Sequence, residues 1–122
     1  MLDRQTLPLE IASRVLEPET IRMVRADRKN IDRTGYLILD RWALNQPDEL
    51  KELEYRDPDL VLDRLYEQQE LEGDALASAT AAEMQTRGYS QWEILELMGI
   101  DTRVRTTASV WAPLEPALLG RS

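Results

Sequence analysis

The chain has no cysteine and no histidine, and these two absences remove most ways of building a catalytic centre. Without cysteine there are no disulfides, no thiolate metal sites and no cysteine nucleophile. Histidine is the commonest general acid/base and metal ligand at neutral pH. With both missing, zinc sites, Ser-His-Asp triads and Cys-His dyads are excluded. What remains is carboxylate chemistry, a lysine nucleophile or a Ser/Lys pair. The only lysines are Lys29 and Lys51, and neither has the apolar sequence setting that activates a lysine. The chain is therefore expected not to be an enzyme, and no cofactor or metal site is expected.

Long apolar runs are missing too. None approaches the ~20 residues needed to span a bilayer, and the N-terminal MLDRQTLPLEIASRV lacks the apolar core of a signal peptide. A cytoplasmic protein with no membrane partner is the expectation. At 122 residues, 43% apolar and 31% charged, the composition suits one folded domain with a modest core.

What is present is negative charge, gathered in one place. Residues 1–47 hold eight basic and seven acidic side chains. Residues 48–74 hold eleven acidic and three basic, a balance of −8, which equals the formal net charge of the whole chain. Residues 75–122 are close to neutral. Such polarity bears on partner choice and encounter rate more than on fold.

The local signals are helical throughout. Pro8 followed by LEIASRVL predicts a short first helix starting near Thr6 or Leu7, with Leu9, Ala12 and Leu16 along one side. Pro18 opens a second helix with Glu17 and Glu19 placed well for its dipole and Ile21 and Val24 facing inward. Arg22, Arg25, Lys29 and Arg33 form one basic stripe if that helix runs on. Gly35 reads as a break, and residues 35–45 as a helix carrying Ile38 and Trp42. Asn45-Gln46-Pro47-Asp48-Glu49 is a helix start, with Leu50 and Leu53 as inward contacts. Asp57-Pro58-Asp59 repeats that grammar and opens the longest helix. Its inner face is expected at Leu62, Leu65, Tyr66 and Gln69, continuing to Leu76. Residues 75–82 are alanine-rich, and Arg87-Gly88 ends the run with a cation and a C-cap glycine.

The expected architecture is all-α: a compact bundle of five to six helices ending in a helix-turn-helix-like unit. One domain is assigned to residues 1–112, made of mixed-charge helices (1–47), acidic helices (48–74) and that unit (75–112). Residues 113–122 are read as a tail.

Two stretches carry candidate function. On the long helix, Asp59, Asp63, Glu67, Glu70 and Asp74 are spaced 4, 4, 3 and 4, which puts five carboxylates on one face about 5–6 Å from neighbour to neighbour. Such a face suits a basic partner, and its regular charge suits imitation of a phosphate backbone. It equally suits a solvated surface. A cation site would need a second element, because carboxylates on a straight helix do not converge on one ion.

The second stretch is Gly88-Tyr89-Ser90-Gln91-Trp92-Glu93-Ile94-Leu95-Glu96-Leu97-Met98-Gly99-Ile100, where Ser90 and Glu93 form a capping box and Gly99 suits a tight turn. This string resembles the helix-turn-helix segments of bacterial transcription regulators and sigma-factor DNA-binding regions, which often read G-Y-S-x-x-E-I-x-x-L-x-G-I. The resemblance covers about a quarter of the chain, residues 75–108. It implies a recognition helix over residues 102–111, with Thr102, Arg103, Thr106 and Thr107 as DNA contacts. The sequence departs from the pattern at Leu95, where a small residue is usual, and at Arg105, where an aliphatic is usual. Trp92 is a candidate interface anchor. The leading expectation is a non-enzymatic protein-binding module that docks its acidic helical face on a basic partner. Its sharpest form is an inhibitor or regulator of a nucleic-acid-handling complex, of the kind phages and mobile elements encode. The alternative is a helix-turn-helix transcriptional regulator that binds DNA.

Overall fold

Most helix starts in this protein are set within four residues of chain. A computed structural model of the chain describes residues 8–104 and holds seven helices: α1 (Glu10–Val15), α2 (Pro18–Ala26), α3 (Arg33–Asn45), α4 (Pro47–Arg56), α5 (Pro58–Leu76), α6 (Ala79–Thr86) and α7 (Gln91–Leu97). Proline is the first residue of α2, α4 and α5. There its missing N–H costs nothing and its fixed φ suits the helix. Asp32, Asp57, Ser78 and Ser90 cap α3, α5, α6 and α7, each accepting a backbone N–H. At α7 the capping box is complete, with the Glu93 side chain accepting the Ser90 N–H at 2.8 Å. Gly88 and Gly99 stop α6 and α7 at φ values of 94° and 75°, a region open to glycine. Each stop closes with the paired bonds of a Schellman motif: Tyr89 N–H to Met84 O and Gly88 N–H to Gln85 O, then Ile100 N–H to Leu95 O and Gly99 N–H to Glu96 O.

α1 is the exception. Its N-cap is Leu9, held at φ 69°, and neither Leu9 nor Ala12 has a polar side chain to close the first turn. Asp40 of α3 supplies both missing acceptors. Its Oδ2 accepts the Leu9 N–H at 2.7 Å and its Oδ1 the Ala12 N–H at 2.8 Å. These are the two donors a capping box would satisfy, met here from another helix. Burial pushes the Asp40 carboxyl above the usual carboxylate range, and the N–H groups of Ala12, Leu9 and Ile11 pull it back in part.

α3 and α5 are the central elements. α1, α4 and α5 pack on α3, while α2, α4, α6 and α7 also pack on α5. The core contains Leu9, Leu16, Val24, Ile31, Ile38, Leu39, Trp42, Leu50, Leu53, Val61 and Leu65, with Val104 closing it from the far end of the described chain. Ala75, Ala81, Ile94 and Leu95 are buried where α6 and α7 fold back on the end of α5.

The all-α class agrees with the sequence, and five details differ. Seven helices stand among the described residues instead of five to six. The alanine-rich run is not one helix, because Ala77-Ser78 turns the chain and Ser78 caps a new helix. α2 stops at Ala26, so Arg22 and Arg25 share a helix while Lys29 lies in the turn and Arg33 opens α3; the four cations form no single stripe. Gly35 does not break the chain but sits in the first turn of α3, where a Cβ would meet the Gln69 side-chain oxygen and approach Ile31 Cγ2 to 2.7 Å. That contact lets Gln69 bridge to the turn before α3, donating to Asn30 O and accepting from the Asp32 N–H. Finally, the inner face of α5 is Val61, Arg64, Leu65, Gln68, Glu72 and Ala75. Leu65 alone of the expected set is fully buried; Leu62, Gln69 and Leu76 are half-buried, and Tyr66 is exposed. Aliphatic spacing misplaced this face because three of its members are polar, and two of them, Gln68 and Glu72, meet partners far along the chain in Asp101 and Arg41.

Candidate functional site: an acidic helical face

Burying Val61, Leu65, Gln68 and Glu72 on one side of α5 dictates what the opposite side shows. At ~100° per residue, Asp59, Asp63, Glu70 and Asp74 fall within about 60° of arc on the side away from the core, along about 22 Å of axis. All four are exposed and Glu67, at the margin of the same face, is half-buried. Ion pairs on other parts of the surface and in the interior include Arg14–Glu10, Arg22–Glu19, Arg41–Glu72, Arg87–Glu83 and Arg103–Asp101. On α4, Asp48, Glu49 and Glu52 are exposed and add to the negative field.

Two aromatics stand on the same helices. Tyr66 is 42% exposed and lies one turn before Glu70, while Tyr55, in the last turn of α4, is 92% exposed. Rings surrounded by carboxylates at a surface supply contact area at low entropic cost. The sequence reading placed Tyr66 inward and passed over Tyr55. For Tyr55 a signal existed: it is the lone aromatic in the polar string Glu54-Tyr55-Arg56-Asp57.

The residues proposed for DNA contact are not assembled into a helix as far as residue 104. After Gly99 the chain is non-helical through Val104. The Thr102 carbonyl accepts from Arg41 and Trp42, and Arg103 is exposed and pairs with Asp101 at 3.2 Å. Thr106 and Thr107, like the rest of the 102–111 segment beyond Val104 and the tail, lie outside the described residues. Trp92 is half-buried, and the Arg41 guanidinium carbon lies 5.4 Å from its ring centroid, a cation–π contact within the chain.

Among the described residues no three or more acidic side chains are grouped so as to hold a metal ion, and no helix is long and apolar enough to cross a membrane. No protein-family model matches the chain, and comparison with curated proteins and with solved structures finds no significant match.

Proposed function

We propose that this protein is a non-enzymatic binding module that docks the acidic outer face of α5 on a protein with a basic surface. The observation that carries the reading is orientation: Asp59, Asp63, Glu70 and Asp74 are exposed along the side of α5 opposite its buried residues. Like charges at i,i+4 spacing destabilise a helix by about 0.2–0.5 kcal/mol per pair. The chain bears that cost on its longest described helix. The sharpest form of the reading is an inhibitor or regulator of a nucleic-acid-handling complex. A row of carboxylates at about 5–6 Å spacing offers a basic groove a regular line of negative charge, as a phosphate backbone does. Tyr66, exposed on the same helix, supplies apolar contact beside it.

The experiment is affinity capture of partners on the intact protein at increasing salt, with the double variant Asp63→Lys/Glu67→Lys alongside. Binding is expected to fall steeply with salt and to be lost in the double variant while its far-UV CD is unchanged. Equal capture by the double variant would end the proposal.

A further inference from the structure

The segment after α7 is held in an unusual way. Residues 101–104 cross from α5 to the α3–α4 corner, and the body of the fold grips them by their main chain. Gln68 donates to the Asp101 carbonyl at 2.9 Å. Arg41 and the Trp42 indole N–H both donate to the Thr102 carbonyl at 3.0 Å. The Gln46 side-chain oxygen accepts the Val104 N–H at 3.1 Å. Val104 is the one side chain of the four that is buried, and it enters the main core beside residues of other helices.

The gripping side chains are organised from below. Glu72, buried on α5, holds the Arg41 guanidinium through both carboxylate oxygens and takes a second Gln68 bond at 2.6 Å. Trp92 covers the Arg41 guanidinium. Arg41 Nε is buried without a hydrogen-bond partner among the described residues, so the cleft has a donor that its occupant leaves unused. A polar cluster of this kind, packed between two helices and aimed at two successive carbonyls and one N–H, specifies an extended backbone and one aliphatic anchor. It reads little else of the sequence.

We propose that this α3–α5 cleft is a receptor for an extended peptide segment, filled in cis by residues 101–104 and able to take in trans the same segment of a second copy of the chain. The identical segment fits by construction, since the cleft already holds it. Exchange requires the 98–100 turn to open, and that turn is tied by two backbone bonds at Gly99 and Ile100. Swapping an identical element between copies is a low-cost route to a dimer when one short turn is the hinge. The cis segment competes with any second copy at an effective concentration of about millimolar, so the exchanged form grows in as the protein concentration approaches that value.

The test uses the full-length chain and a labelled peptide with the sequence of residues 99–107, GIDTRVRTT. The full-length Val104→Asp variant, its own anchor disabled, is expected to bind the peptide saturably in fluorescence anisotropy. The parent chain is expected to bind it at least about tenfold more weakly, because its own segment competes. A peptide carrying the same Val-to-Asp change is expected to bind neither. A folded Val104→Asp chain that ignores the parent peptide, or equal binding of the two peptides, would overturn the proposal. If Val104→Asp does not fold, hydrogen exchange on the parent chain decides. The Val104 amide and the Trp42 indole N–H are expected to exchange through an opening that leaves the Leu39 and Leu65 amides protected. Exchange only in step with those core amides would overturn it as well. Peptide binding is expected to be unchanged by Asp63→Lys/Glu67→Lys, which separates this cleft from the acidic face.

Discussion

Glu72 and Asp74 stand two residues apart on one helix and live in different worlds. Glu72 is 3% exposed, paired with Arg41 and bonded by Gln68. Asp74 faces water on the other side of α5. The same division runs through the molecule: Asp40 and Glu72 are interior carboxylates matched donor by donor, and Asp59, Asp63, Glu70 and Asp74 are exterior ones set in a row. A buried charge left unmatched costs several kcal/mol, so an interior carboxylate persists only where partners surround it. An exterior carboxylate has no such constraint and contributes little to stability. The interior set thus belongs to the fold, and the exterior set is open to use by a partner.

That contrast can be broken most sharply at Glu72. Glu72→Ala leaves Arg41 mostly buried without its counter-charge, and an unfolding stability loss of about 3 kcal/mol is expected in urea denaturation. The lower end of the range applies because the Arg41 side chain keeps 15% exposure. The double variant Arg41→Met/Glu72→Leu is expected to lose less than Glu72→Ala alone, since it removes the charge and its desolvation together. A larger loss in the double variant would show that packing, not charge pairing, dominates the site.

Asp40→Ala comes next. It deletes acceptors for two backbone N–H groups of α1, at an expected cost of about 2–3 kcal/mol. Faster hydrogen exchange confined to α1 is the accompanying sign. Protonation gives this residue a further signature. Its carboxyl titrates above the 3.8 of an unperturbed aspartate, so between 3.8 and the raised value the folded state binds more protons than the unfolded one. Stability from this group is therefore greatest below 3.8 and declines as pH rises through the raised value. Asn stands in for the uncharged carboxyl and does not titrate, so the denaturation midpoint of the parent chain is expected to fall relative to that of Asp40→Asn as pH rises from 3.5. A parent midpoint that rises relative to the variant in that window would contradict the assignment.

The smallest effects belong outside. Asp63→Ala and Glu70→Ala are each expected to shift stability by no more than about 0.5 kcal/mol, with the sign toward stabilisation because like-charge repulsion is relieved. A loss above 1 kcal/mol at either position would mean that the outer row serves the fold after all.

Much of this was legible in the chain. Pro18, Pro47 and Pro58 each mark the first residue of a helix, Asp57 and Ser90 cap, and Gly88 and Gly99 stop, because each signal acts on backbone groups within a few residues. The acidic row was legible apart from Glu67, which is half-buried at its margin, since Asp59, Asp63, Glu70 and Asp74 at helical spacing share a face whatever the helix packs against. Illegible were the polar members of the interior. Asp40 looks like any exposed aspartate until Leu9 and Ala12, 31 and 28 residues away, bring their N–H groups to it. Glu72 and Gln68 look like part of a solvated helix, and their burial turned the inner face of α5 away from the one the leucines suggested.

Helix existence, most helix limits (the start of α1 aside) and the alignment of the outer carboxylates were thus decided by the amino-acid sequence, through interactions that span no more than about a turn or two. Which carboxylates go inside, why α3 carries glycine at 35, and where residues 101–104 lie were decided by tertiary structure alone. Each depends on groups some 30 to 60 residues apart meeting in space, as Arg41 meets Thr102 across 61 positions, and a buried polar group is tolerated only once that meeting has supplied its partner.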